Sequence, residues 1–257
     1  MKSVSMGFIG AGRITRIFLQ AFSNRSISLK NITVCDTSEL VLHELQNQFP
    51  EICVTRHPQD CTKQDIIFLA LHPPHVMGAL ESIRMIVNTS KCIVSLAPKI
   101  SMAKMSELLS TLNLARMIPN ATSFINSGFN PICFHPDFEE TKKEELLDLF
   151  SALGKTFETD EQKLESYALV SAMLPTYFWF QWNELQVIAQ QLGLSEDETN
   201  RALHETIAAA NDLYFDSGLT SKEVIDLIPV KPIAENEDYI KNCLREKIIA
   251  LFEKIKA

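Results

Sequence analysis

Gly10 and Gly12 sit in the stretch MGFIGAGRIT, where a short apolar run gives way to an amphipathic one. Residues of this type at this spacing let an anion approach the backbone. Gly10 permits a tight turn, and Gly12 leaves bare backbone at a helix start, where unpaired N–H groups and the helix dipole favour negative charge. The third glycine of a GxGxxG pattern is replaced by Thr15, at a position that serves helix–strand packing rather than ligand contact. An acid answers the turn at the end of the next apolar run: Asp36, in TVCDTSE. A carboxylate there can accept both hydroxyls of an adenosine ribose, whereas a 2′-phosphate asks for a cation, and none follows among Thr37, Ser38 and Glu39. The pattern fits a dinucleotide cradle, with NAD favoured over NADP. Asp36 as a cap of the following helix is the competing assignment.

Other groups can take part in proton or charge chemistry. His72 and His75, in ALHPPHV, close a further apolar run. An imidazole there can give a proton to a substrate as hydride arrives, or it is a turn histidine exposed between prolines. Ser171 and Tyr177 lie on a helical run interrupted by Pro175 and are candidates for substrate contact, with core packing as the alternative for the tyrosine. His204, beside Glu205 on an amphipathic run, reads as packing or capping. Lys231 is a surface lysine by default, and a cation for the substrate if that substrate is a carboxylate. The six cysteines show neither a CxxC pair nor a histidine at ligand spacing, so no metal site and no disulfide framework is expected.

The elements that must position these groups follow from periodicity. Eight β-type runs, SVSMGFIG, NITVCD, EICVT, DIIFLAL, CIVSLA, LARMI, NPICFH and KTFET, occupy the first 158 residues. RITRIFLQAFSN, SELVLHELQNQF, PHVMGALESIRMIV, SMAKMSELLSTL and EETKKEELLDLFSAL carry the helical period between them. Alternation of this kind predicts an α/β fold, a Rossmann-type domain with a parallel sheet over residues 1–158. Residues 159–257 show only helical periodicity and predict an all-helical domain, with Asp160 and Ser195 as helix starts and Gly193 and Gly218 as stops. The helix expected over 160–193 is apolar nearly all round at Phe178, Trp179, Phe180 and Trp182, which predicts burial against a second subunit and hence a homodimer.

Composition excludes other classes. Of 257 residues, 24 are Lys or Arg and 32 are Asp or Glu, a net charge of −8 with no basic patch, so no nucleic-acid partner is expected. The apolar N-terminal stretch is broken by Gly7, Gly10, Gly12, Arg13 and Arg16 before it reaches membrane length, and no membrane partner is expected. Scattered cysteines suit reduced thiols in a cytoplasmic protein.

Four segments, MGFIGAGRIT, IIFLALHPPHV, IVSLAPKISMAKM and RMIPNATSFINSG, together with FSALGKTFETDEQKLESYALVSAMLPTYF and QQLGLSEDETNRAL, resemble the pyrroline-5-carboxylate reductases over nearly the whole chain, more weakly after residue 217. The resemblance implies a dinucleotide domain, a helical dimerisation domain and reduction of a small imine or carbonyl substrate by NAD(P)H. It places Ile9, Gly10, Ala11, Gly12, Arg13 and Ile14 on the cofactor phosphates, and Asp36 and Thr37 at the adenosine ribose. Ala70, Leu71, His72 and Pro73 fall on the nicotinamide side, with Asn120 in a loop near it. The substrate site departs from that family. Ser171-Ala172-Met173-Leu174-Pro175 replaces a Ser-Gly-Ser-Gly-Pro run, and Pro232-Ile233-Ala234-Glu235-Asn236 replaces a Pro-Gly-Gly-Thr-Thr turn. An altered substrate is therefore expected, and a dinucleotide-binding sensor or scaffold without turnover is the alternative. A 3-hydroxyacid dehydrogenase fits less well, because no lysine-centred motif follows the first domain.

Overall fold

The computed structural model describes residues 4–256, so the opening Ser3 of the first expected strand lies outside the described residues. In chain order the first elements are β1 (Met6–Ile9), α1 (Arg13–Asn24), β2 (Ile32–Cys35), α2 (Glu39–Gln48), β3 (Cys53–Thr55) and α3 (Pro58–Cys61). They are followed by β4 (Ile66–Leu69), α4 (Pro73–Ile83), β5 (Cys92–Ser95), α5 (Met102–Ser106) and β6 (Leu114–Met117). After a 3-10 turn at Ala121–Ile125 come β7 (Gly128–Phe134), α6 (Glu140–Phe150) and β8 (Gly154–Glu158). The strands form one sheet in the order β3-β2-β1-β4-β5-β6-β7-β8. Every neighbouring pair is parallel except β6 and β7, which run antiparallel. Strand order reverses between β1 and β4, and the crevice at the carboxyl ends of the strands there is where sheets of this type take their ligands.

The core lies under α1. Phe18, Leu19 and Phe22 are fully buried at helical spacing. Phe18 meets Phe8 and Phe68 edge-on at 6.1 and 5.7 Å, and those two rings stack at 4.5 Å. Full burial of one such ring stabilises by about 1.5–3 kcal/mol, so this aromatic cluster fixes α1, and with it the β1–α1 turn, against the sheet. All eight expected strands are present.

The chain divides into two compact units, one running through Met173 and resuming at Leu251, the other comprising Leu174–Ala250. The boundary expected at residue 158 falls short because the segment after β8 packs on the sheet, with Leu164, Glu165, Ala168, Leu169 and Ser171 buried. The helix expected over 160–193, with Pro175 as a kink or an interruption, is a succession of pieces. A 3-10 turn and α7 (Leu164–Tyr167) lead into a π-turn at Ala168–Ala172, a second 3-10 turn spans Leu174–Tyr177, and α8 covers Trp179–Gln191. Pro175, which lacks the N–H needed to continue a helix, sits in the break. α5 has five residues where a longer helix was expected.

The second unit contains α8, α9 (Glu196–Asp216), α10 (Ser221–Asp226) and most of α11 (Glu237–Ile255). Ser195 and Thr220 start α9 and α10 with reciprocal capping boxes to Glu198 and Glu223, while Gly193 and Gly218 take positive φ at the helix stops. Among its described residues only Thr199 is buried.

Candidate functional site

The carboxyl ends of β1, β2 and β4 meet around Gly10. Its N–H donates to the Cys35 carbonyl at 2.7 Å, and the Ala70 N–H donates to the Ile9 carbonyl at 2.9 Å. Gly10 has φ +113°, and a Cβ there would stand 2.3 Å from the Ala70 oxygen, so only glycine fits. Gly12 differs in kind. As the N-cap of α1 it has ordinary φ of −74°, and a Cβ added to it would meet nothing within 4 Å. The space in front of Gly12 is open, and the N-terminus behind it has neither a side-chain cap nor an acid in its first turn. That combination suits the pyrophosphate of a dinucleotide. Thr15, in place of the third glycine, is fully buried and its hydroxyl donates to the Gly10 carbonyl at 2.5 Å, so it ties the helix to the turn. Ile9 and Ala11 are buried, Ile14 is half-buried, and Arg13 is exposed at the first helical position.

Asp36 takes a role that neither expectation named. One carboxylate oxygen accepts from the Ala11 N–H at 2.9 Å and the other from the Ser38 N–H at 3.0 Å, while Ser38, not Asp36, caps α2. The acid therefore braces the glycine turn against the end of β2. Thr37 beside it is exposed. No cation stands among the three residues that follow Asp36, but the sheet adds one from further along the chain. Cys35 pairs with Thr55 and the Asp36 N–H donates to the Thr55 carbonyl at 3.2 Å, which brings the backbone of Arg56, the residue after β3, to this end of the sheet. Arg56 is exposed, pairs with Glu39 at 2.6 Å, and lines a hollow of about 380 Å³ with His43, Thr55 and His57. Only the β2–β3 register, a long-range feature, reveals it.

On the other side of the crevice, Ala70 and Leu71 are half-buried and His72 is an exposed N-cap of α4, with Pro73 at the first helical position. His75 is exposed one turn on. At the end of β6, Asn120 is buried and fully engaged. Its amide nitrogen donates to the Ser171 carbonyl and hydroxyl at 3.3 and 3.2 Å, and its amide oxygen accepts from the N–H and hydroxyl of Thr122. The Ser171 hydroxyl donates in turn to the Phe129 carbonyl at 3.0 Å. Asn120 and Ser171 thus hold the loop after β6, with little hydrogen-bonding capacity left for a ligand. Tyr177 is half-buried in the second unit, and burial raises its phenol pKa. Ser171 and Tyr177, expected on one helix, fall in different units.

A buried ion-pair cluster underlies the loops. Arg116 of β6, 1 % exposed, donates to Glu161 at 2.8 Å and to Glu165 at 2.5 Å, and the same Glu161 oxygen accepts from the Met102 N–H at 2.7 Å. Burial pulls the guanidinium pKa down, but the two carboxylates outweigh it and hold the value above the ordinary one. The loop from β5 to α5 is thereby pinned to β6. The buried thiols are inert in the other direction: burial pushes Cys35 up to about 11 and Cys92 and Cys133 up to about 12, and Cys61 higher still. Among the described residues no group of three or more His, Cys, Asp or Glu side chains could hold a metal, and no helix is long and apolar enough to cross a membrane.

Comparison with known proteins agrees with this geometry. Residues 5–99 match the family model described as NADP oxidoreductase coenzyme F420-dependent. The chain is 23 % identical to a pyrroline-5-carboxylate reductase of Vibrio alginolyticus over 82 % of its own length and 78 % of that protein's. The structure of Plasmodium falciparum pyrroline carboxylate reductase with NADP bound matches with a TM-score of 0.84 at 20 % identity, covering 100 % of this chain and 98 % of that one. The Streptococcus pyogenes 1-pyrroline-5-carboxylate reductase matches at 0.81 and 17 % identity, with 98 % of both chains covered. The likeness to these two structures, which is one of fold, covers 98 % or more of this chain.

Proposed function

We propose that this chain is an NAD(P)H-dependent reductase of the pyrroline-5-carboxylate reductase type, acting on a small imine or carbonyl substrate. The observation that carries the reading is the open space before Gly12, at an uncapped helix N-terminus on the crevice where strand order reverses. Ile9, Gly10, Ala11, Gly12, Arg13 and Ile14 would hold the cofactor phosphates. Asp36 and Thr37 would lie at the ribose, and Ala70, Leu71, His72 and Pro73 on the nicotinamide side. A bound nicotinamide supplies the hydride. The chain's own residues orient it and hold a proton donor, a role we give to His72, because it is exposed at the end of β4. Asn120 and Ser171 act by fixing the loop after β6.

Asp36 favours NADH on its chemistry, but both its oxygens already accept backbone N–H groups, and Arg56 directly follows Thr55, whose carbonyl takes the Asp36 N–H. These observations support use of both dinucleotides, with Arg56 meeting a 2′-phosphate. Arg56→Ala is expected to weaken NADPH roughly tenfold and NADH hardly at all, about 1.4 kcal/mol of discrimination, measured by fluorescence titration. Met173, Leu174, Ile233 and Ala234, standing where the resembling family has small or hydroxyl-bearing residues, support a substrate other than pyrroline-5-carboxylate. Reduction of that compound should be slow.

The second unit supports assembly as a homodimer. Phe178, Trp179 and Phe180 are 43, 46 and 68 % exposed, an apolar surface a lone subunit would present to water. Reduced cysteines support a cytoplasmic location. A second reading, binding without turnover, is favoured by the engaged Asn120 and Ser171. A panel of cyclic imines, keto acids and amino acids, assayed for NAD(P)H oxidation and NAD(P) reduction, separates the two. Turnover of any member excludes the sensor, and dinucleotide binding with no turnover across the panel excludes the reductase.

A further inference from the structure

Among the described residues, three other than glycine take positive φ: Ser26, Asn126 and Lys99. Asn126 ends the 3-10 turn before β7, and asparagine tolerates the left-handed region. Ser26 lies in the turn after α1, where its N–H donates to the Ser23 carbonyl. Lys99, at φ +71°, lies in the loop that leaves the carboxyl end of β5, second in the turn Pro98–Lys99, a place that suits glycine and where lysine is unusual.

The loop around it is held at both ends. The Leu96 N–H donates to the Leu69 carbonyl at 3.1 Å, extending the ladder to β4, and the Met102 N–H is taken by Glu161 of the Arg116 cluster. Leu96, Ala97, Ile100 and Met102 are buried, Pro98 and Ser101 are half-buried, and Lys99 alone of Leu96–Met102 is exposed. A lysine is thus kept in a backbone conformation that suits glycine, by a loop whose other side chains are packed inward. Non-glycine residues persist in that region where surrounding structure over-determines them, and such residues gather at ligand sites. Leu69 pairs with Ser95, so the loop leaves the sheet beside the β4 end that carries Ala70, Leu71 and His72. Among the described residues Lys99 has no carboxylate partner, in a chain where acids outnumber Lys and Arg by 32 to 24.

We propose that Lys99 is the specificity-determining cation of the substrate site, and that the substrate carries an anionic group, a carboxylate, which it pairs with. The proposal rests on the reductase reading for the word substrate, and replaces Lys231 as the cation expected for it. An ammonium on a pinned loop gives charge recognition without the glycine-rich turn that the resembling family uses.

The test uses the full-length protein saturated with NADH and a panel of cyclic imines and keto compounds, each offered as the carboxylate and as its carboxamide. Binding is read by calorimetric titration and turnover by NADH oxidation, so that a protein that binds without turning over still reports. Wild type is expected to prefer the carboxylate. Lys99→Gly and Lys99→Ala are expected to lose at least ~10-fold of that preference, Lys99→Arg to keep part of it, and Lys104→Ala, on α5, to keep all. NADH affinity should not move in any of them. Lys99→Gly should also melt no lower than wild type, since it relieves the left-handed strain. No carboxylate preference in wild type, or a preference unchanged in Lys99→Gly, overturns the proposal. Preference in binding with no turnover leaves Lys99 in place and overturns the reductase reading alone.

Discussion

The two units of this chain solve the same problem in different ways. The first buries a continuous core under α1 and fixes its ligand edge with short, specific links: Thr15 to Gly10, Asp36 to Ala11, Glu161 to Met102. The second leaves Phe180, Leu192, Phe215 and Tyr239 between 68 and 80 % exposed and relies within itself on helix caps. A unit with a core can hold atoms in place to fractions of an ångström. One without it gains definition from what it is packed against.

The largest expected effect tests the first half of that contrast. Arg116→Ala strands Glu165, 3 % exposed, without its partner and should cost about 3–5 kcal/mol in urea denaturation. Arg116→Met with both Glu161→Leu and Glu165→Leu should recover much of it, and failure to do so would show that the ion pairs stabilise beyond the cost of burying them. Next comes Gly12→Val, which fills open space and therefore should leave the melting temperature alone while weakening NADH and NADPH at least ~30-fold, about 2 kcal/mol. Unfolding by that variant would erase the distinction drawn between Gly12 and Gly10. The second half of the contrast is tested by Phe180→Asp, which should weaken self-association by about 1.4–2 kcal/mol, tenfold or more, in sedimentation at micromolar concentration. A monomeric wild type would show that the helical unit needs no second copy.

The smallest effect is acid lability of the second unit. The Ser195 N–H and hydroxyl hold the Glu198 carboxyl below its ordinary 4.5, and the Thr220 hydroxyl and N–H do the same to Glu223. A carboxyl depressed in the folded state contributes stability that is present above the unfolded value and lost as pH falls through the folded one. Glu198→Ala with Glu223→Ala should therefore lower the melting temperature slightly at neutral pH and make no difference in strongly acidic buffer.

Much of the first unit is legible in the sequence because its signals are local. The alternation of β-type and amphipathic runs gives every strand, and RITRIFLQAFSN coincides with α1. The glycine turn announces itself by type and spacing. What is not legible depends on residues far apart in the chain. The backbone before Arg56 meets Asp36 through sheet register, and Asn120 reaches Ser171 across 51 positions. The π-turn at Ala168–Ala172 carries the same apolar period as an ordinary helix, so nothing before Pro175 announces a break there. Lys99 shows no anomaly until its φ is known. α3 has four residues, too few for any periodicity to register.

The placing of the cysteines has a consequence for handling the protein under oxidation. Cys35, Cys61, Cys92 and Cys133 are both out of solvent and held as neutral thiols, whereas oxidants and alkylating reagents attack thiolates. Cys53, exposed at the start of β3, and the half-buried Cys243 are the ones that remain accessible. A reporter dye added briefly at neutral pH would accordingly settle first on Cys53, on the strand that ends beside Arg56. The fold thereby supplies a native labelling position close to the proposed adenosine end of the crevice, with no need to remove the thiols in its interior.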